Sequence, residues 1–185
     1  NRVEGGIPML DDDALGTRYN REIAGRIRAN HTQEANYRFG NDVRKYFVDK
    51  AEIRLPEDFL KRWLVYANDG KYTAEQVDKE FPAFLEDFKW QLVRGYMMQK
   101  FGLKVEQKDL QDAAESYVAY QYAMYGMGNV PEDLIKGAAR NVLEDENQVR
   151  RLEEQVEDNK TIAAVREKVS VQTKKISEDK FRALK

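Results

Sequence analysis

A chain of 185 residues, 42% of them hydrophobic, is long enough to bury a sizeable core, which excludes wholesale disorder. Charged residues make up 35%, interleaved in sign, with a formal net charge of only -2; a helix-rich protein with long solvated faces fits this better than a compact α/β enzyme. No basic face is evident, so there is no electrostatic reason to expect nucleic-acid binding, and the lack of cysteine removes disulfides, a thiolate nucleophile and cysteine-based metal sites.

Asn1 to Asp13, with Gly5, Gly6 and Pro8 ahead of an acidic triplet, reads as a linker stub from an upstream domain, leaving residues 14–185 as one helical domain. From Ala14 the ladder Leu15, Tyr19, Ile23, Ile27, His31, Ala35, Phe39, Val43 and Phe47 runs at i+4 to about Lys50, predicting one long helix. A strict i+4 ladder drifts around a straight helix, and Gly25 and Gly40 are the expected points of bending. The segment LPEDFL opens the next helix, with Pro56 at its first position and Glu57 and Asp58 favoured by the macrodipole. Phe59, Leu60, Trp63, Leu64 and Ala67 form its apolar face, and Asn68 to Gly70 end it.

Thr73 with Gln76 is a capping-box pattern that starts a short helix, and Pro82 predicts a break near Phe81. The stretch Phe81 to Leu110 then carries the central helix, which is apolar on more than one side. Phe84, Phe88, Leu92 and Tyr96 make one stripe; Trp90, Val93, Met97 and Phe101 make another. Such a helix needs neighbours on both sides, or leaves one stripe open for a partner.

After Gly102, residues 107–125 form a helix stopped by Gly126 and Gly128. VPEDLI at Val130 to Ile135 repeats the proline-acid start, and one or two further helices follow with a partly heptad-like seam through Leu134, Ala138, Val142, Val149, Leu152 and Val156. Ser177 caps a last short helix carrying Phe181 and Leu184. Ile53 to Leu55 and Leu103 to Val105 are too short to make a sheet, so the fold class is all-α.

Catalytic chemistry has little to stand on. His31 is the only histidine and reads as a packing residue, and no HExxH, phosphate loop, metal-ligand spacing or nucleophile motif occurs. Neither catalytic, cofactor-binding nor metal residues are expected, and no signal peptide or membrane span is evident.

What remains is a concentration of adaptable apolar side chains. Tyr96, Met97, Met98 and Phe101 on one helix, and Tyr120, Met124 and Met127 at the end of the next, are the candidate contacts for an apolar polypeptide partner; flexible thioethers and amphipathic rings re-pack around varied surfaces. The competing reading of each is core packing. A partner covering about 500 Å² would gain roughly 12 kcal/mol gross, and association costs of about 4 to 15 kcal/mol would leave weak, reversible capture.

LPEDFLKRWL (Leu55 to Leu64), YTAEQVDKEFPAFLEDFKWQLVRGYMMQKFGLKVEQKDL (Tyr72 to Leu110), QYAMYGMGNVPEDLI (Gln121 to Ile135) and KVSVQTKKISEDKF (Lys168 to Phe181) together resemble the C-terminal domain of bacterial trigger factor, most like the form found in Bacteroidetes. The resemblance covers the chain from about Asp13 onward, in order. It implies an elongated multi-helix body with arm-like projections. It also implies an ATP-independent, cytoplasmic chaperone that cradles unfolded or nascent chains on apolar concave surfaces. The family's ribosome-docking module and FKBP-like prolyl isomerase domain are not in this sequence, so ribosome contact and isomerase activity are expected only of a longer protein. The rival expectation is a helical oligomerisation or spacer domain, with a homodimer holding the apolar faces.

Overall fold

The computed structural model describes residues 12–68, 71–171, 180 and 183, with the backbone alone for 12–19 and 22. The fold is all-α; the described residues form six helices and no strand: α1 (Asp12–Ala51), α2 (Glu57–Ala67), α3 (Ala74–Phe101), α4 (Gln107–Met124), α5 (Glu132–Glu144) and α6 (Glu146–Lys168). Most of the linker expected over residues 1–13 and the cap and apolar residues of the last expected helix, Ser177, Phe181 and Leu184, lie outside the described residues. By contacts the chain divides into two compact units, Asn1–Lys45 and Tyr46–Lys185.

In the first unit α1 is continuous through Gly25 and Gly40, where bending was expected. Ile23 and Ile27 on its ladder are exposed, as are His31 and Ala35, while Gly40 and Val43 are buried. His31 is therefore not the packing residue its ladder position suggested: it lies in solvent, 4.0 Å from Glu34 Oε2. An i+4 ladder on a 3.6-residue helix rotates steadily, so no single side of α1 collects all its apolar positions.

The second unit begins with the α2–α3 hairpin. Pro56 stands one residue ahead of α2, and its carbonyl accepts from the Leu60 N–H at 3.0 Å. Thr73 caps α3 with both halves of the capping box: Gln76 N–H donates to Thr73 Oγ1 at 3.2 Å and Thr73 N–H donates to Gln76 Oε1 at 2.9 Å. This cap starts not a short helix but α3 itself, which runs unbroken past Pro82. The proline removes one backbone donor, yet Pro82 and Asp78 are both exposed, while buried Val77, Phe81 and Trp90 bind the helix to its neighbours on either side of the defect. Tertiary packing outweighs the local propensity.

Gly102 (φ 65°) and Gly126 (φ 79°) end α3 and α4 in the left-handed region. Leu103 N–H returns to the Met98 carbonyl and Met127 N–H to the Tyr122 carbonyl, both at 2.9 Å, so each helix closes in a Schellman turn. Asp145 separates α5 from α6, its Oδ1 accepting from the Asn147 N–H at 2.8 Å.

The long α6 is the common support: α3, α4 and α5 each pack against it, whereas α3 and α4 do not pack on one another. Between α4, α5 and α6 the core centres on Ala114, Val118, Ala139 and Leu152, with Leu110 and Ile135 packed against it. The two alanines are almost wholly buried, and their small side chains let helix backbones approach closely.

Candidate functional site

The inner stripe of α3 is fixed first. Trp90, Val93, Met97 and Met98 are buried, and Arg94 lies among them. The Trp90 indole N–H donates to Asp158 Oδ1 at 2.8 Å, and Arg94 Nη1 donates to the same oxygen at 2.7 Å. Arg94 Nη2 reaches Glu157 Oε2 at 2.9 Å. A buried guanidinium requires such charge-assisted partners, and both carboxylates come from α6.

With that stripe turned onto α6, helical spacing turns the other stripe outward. Phe84 and Phe88 stack at 5.8 Å and 8° and are half-buried, but Leu92 and Tyr96 lie open, Tyr96 at 63% exposure. Lys100 Nζ stands 5.7 Å from the Tyr96 ring centroid, a cation–π contact within an exposed part of the helix.

A second apolar region lies at the far end of α4. Tyr120 (63% exposed) and Met124 (67%) share one face, and Tyr125 and Met127 continue beyond the helix end. Met127 also lines an open groove of about 530 Å³ with Tyr122, Asn129, Val130, Pro131 and Leu134. From Tyr117 to Pro131 the chain carries no Asp, Glu, Lys or Arg, so the region has little fixed charge of its own.

The expected contact residues therefore separate. Tyr96, Tyr120, Met124 and Met127 are exposed and Phe101 is half-buried, but Met97 and Met98, at 6% and 9% exposure, belong to the packed face of α3 and offer no surface. The apolar face expected on α2 splits in two, and its outer part is a third open row that the expected contacts did not include. Phe59, Trp63 and Tyr66 recur at i, i+4 and i+7, all exposed, while Leu60 and Leu64 are half-buried. The missed signal was Tyr66, which extends the Phe59 and Trp63 spacing by a further turn.

Two lysines brace these elements. Lys160 on α6 binds the Asp109 carboxylate and donates to the Lys104 carbonyl at 2.9 Å, tying down the connector between α3 and α4. That bond, with a further one from the Glu106 N–H, holds the Asp109 carboxyl below the usual carboxylate range. Lys61 on α2 meets Asp78 on α3 at 2.7 Å and stands 5.0 Å from the Phe81 centroid; the Asp78 bond raises its pKa. Among the described residues no grouping of His, Asp and Glu could hold a metal ion, and no helix is long and apolar enough to cross a membrane.

Residues 35–184 match the family described as "Probable trigger factor, C-terminal domain". No curated protein and no solved structure matches the chain.

Proposed function

The chain belongs to the trigger factor C-terminal domain family, a chaperone-type rather than catalytic module, and from that membership we propose that it holds unfolded polypeptide segments on its exposed apolar rows without nucleotide. The carrying observation is that α3 and α4 each bury one apolar side and leave another open. Leu92 and Tyr96 on α3, and Tyr120, Met124 and Met127 around the end of α4, are the contacts this reading assigns; the α2 row of Phe59, Trp63 and Tyr66 joins them.

Several separate rows suit clients that differ in sequence. Aromatic rings and thioethers contribute contact area with little directional demand, so a passing apolar segment is held loosely and released without an energy source. On this reading the segments are nascent chains met near the ribosome, in the cytoplasm.

The test is suppression of aggregation of a chemically unfolded protein by the purified chain, with no nucleotide present. Slowed aggregation at near-stoichiometric ratios is the expected result, and no effect at any ratio overturns the reading. Light scattering across a dilution series checks the rival use of the same rows, self-association into a homodimer. A dimer that persists on dilution and captures no client favours the rival.

A further inference from the structure

We propose that Met124 and Met127 are sites of reversible sulfoxidation by peroxide-class oxidants, and that their oxidation switches off apolar capture at the end of α4; the switch rests on the holding function proposed above.

Exposure sorts the described methionines into two pairs. Met124 and Met127 are 67% and 50% exposed, whereas Met97 and Met98 lie in the packed face of α3. Oxidation of a thioether requires the oxidant to reach a sulfur lone pair, so exposure sets the order of reaction. The sulfur attacks one peroxide oxygen, the O–O bond breaks, an S–O bond forms and water leaves. The thioether loses two electrons and hydrogen peroxide is reduced by two, so the step balances with no further reactant.

The location gives the modification its effect. Met127 follows the left-handed Gly126 and lines the groove with Tyr122, Val130, Pro131 and Leu134, and Met124 sits one turn earlier beside Tyr120 and Tyr125. Two sulfoxides place strong, chiral acceptors on a surface otherwise free of Asp, Glu, Lys and Arg from Tyr117 to Pro131. An apolar client segment would have to desolvate them without supplying donors. Both side chains project from surface positions, so the core among Ala114, Val118, Ala139 and Leu152 is untouched and the helices remain folded. Methionine sulfoxide reductase restores the thioether with two electrons from a dithiol, which becomes a disulfide while the oxygen leaves as water.

The experiment treats the purified chain with hydrogen peroxide, maps each methionine by peptide mass spectrometry and follows aggregation suppression and circular dichroism on the same samples. Met124 and Met127 are expected to oxidise about tenfold faster than Met97 and Met98. Suppression should fall in step with that oxidation while helicity holds, and should return on reductase treatment. In Met124→Leu/Met127→Leu, compared with its own untreated sample, peroxide should remove none of the suppression. Equal oxidation of all four residues, unchanged suppression after full oxidation of Met124 and Met127, or an equal peroxide loss in the leucine variant each overturn the switch. An untreated wild-type chain that suppresses nothing overturns the holding function and the switch with it, a result distinguished from failure of the switch alone before any oxidant is added.

Discussion

Arg94 and Asp158 meet at 2.7 Å across α3 and α6, with Arg94 only 8% exposed. The pair is not isolated, because the Trp90 indole donates to the same carboxylate oxygen and Glu157 takes the other guanidinium nitrogen. This polar knot orients α3 by its inner stripe, and so determines that Leu92 and Tyr96 point away from α6.

Breaking the knot from the carboxylate side leaves a buried guanidinium and an indole N–H short of an acceptor. Asp158→Ala should cost about 2 to 4 kcal/mol, with Trp90 emission shifting to the red as its surroundings loosen. Denaturant unfolding followed by fluorescence measures both. Arg94→Met, which fills similar volume and removes the charge, should cost less than Asp158→Ala.

The knot also marks where sequence reasoning stopped. The two stripes of α3 follow from spacing alone, and Trp90, Val93 and Met97 lie on the buried one as their period predicts. Arg94 was invisible, since a charged residue next to an apolar stripe is ordinarily solvated, and only partners more than 60 residues away allow it inside. Met98 shares the helical face of Arg94, so its burial was hidden for the same reason. Continuity through Pro82 depended likewise on long-range packing, whereas the Thr73 cap and the Gly102 and Gly126 stops were local and legible.

Thr161 is fully buried on α6, and its hydroxyl has no hydrogen-bond partner among the described residues. Thr161→Val keeps the side-chain shape and removes the unsatisfied oxygen. It should raise stability by about 1 kcal/mol, seen as an upward shift of the thermal midpoint.

Glycines sort by backbone geometry. Gly25 and Gly95 lie inside helices, with open space where a Cβ would stand, so each change to alanine should stabilise by about 0.5 to 1 kcal/mol. Gly102 and Gly126 have equally open surroundings but positive φ, and alanine there should destabilise by about 1 to 2 kcal/mol. Opposite signs in urea unfolding are the check.

Asp109 gives the connector between α3 and α4 an acid sensitivity. Its pKa is lowered in the folded chain, chiefly by Lys160 and then by the Glu106 N–H. A depressed carboxylate pKa adds stability that is complete above the unfolded value and is lost as pH falls through the folded one, here below about pH 4. Asp109→Asn should therefore flatten the acid limb of stability against pH, and amide exchange at residues 103–110 should no longer accelerate as steeply with acidification once corrected for intrinsic exchange.

Polar replacements separate surface capture from packing most directly. Tyr120→Ser, Met124→Gln and Met127→Gln alter side chains that are at least half exposed, so each should shift stability by no more than about 0.5 kcal/mol. Combined, they should weaken aggregation suppression several-fold, because the removed area at about 25 cal/mol per Å² is a large part of a weak binding free energy. Met97→Gln and Met98→Gln should do the reverse, each costing about 2 to 4 kcal/mol by placing an amide in the packed face of α3. If the α4 triple variant retains full suppression at an unchanged thermal midpoint, capture belongs to the other rows, and the same measurement on Phe59→Ser/Trp63→Ser/Tyr66→Ser or Leu92→Gln/Tyr96→Ser identifies which.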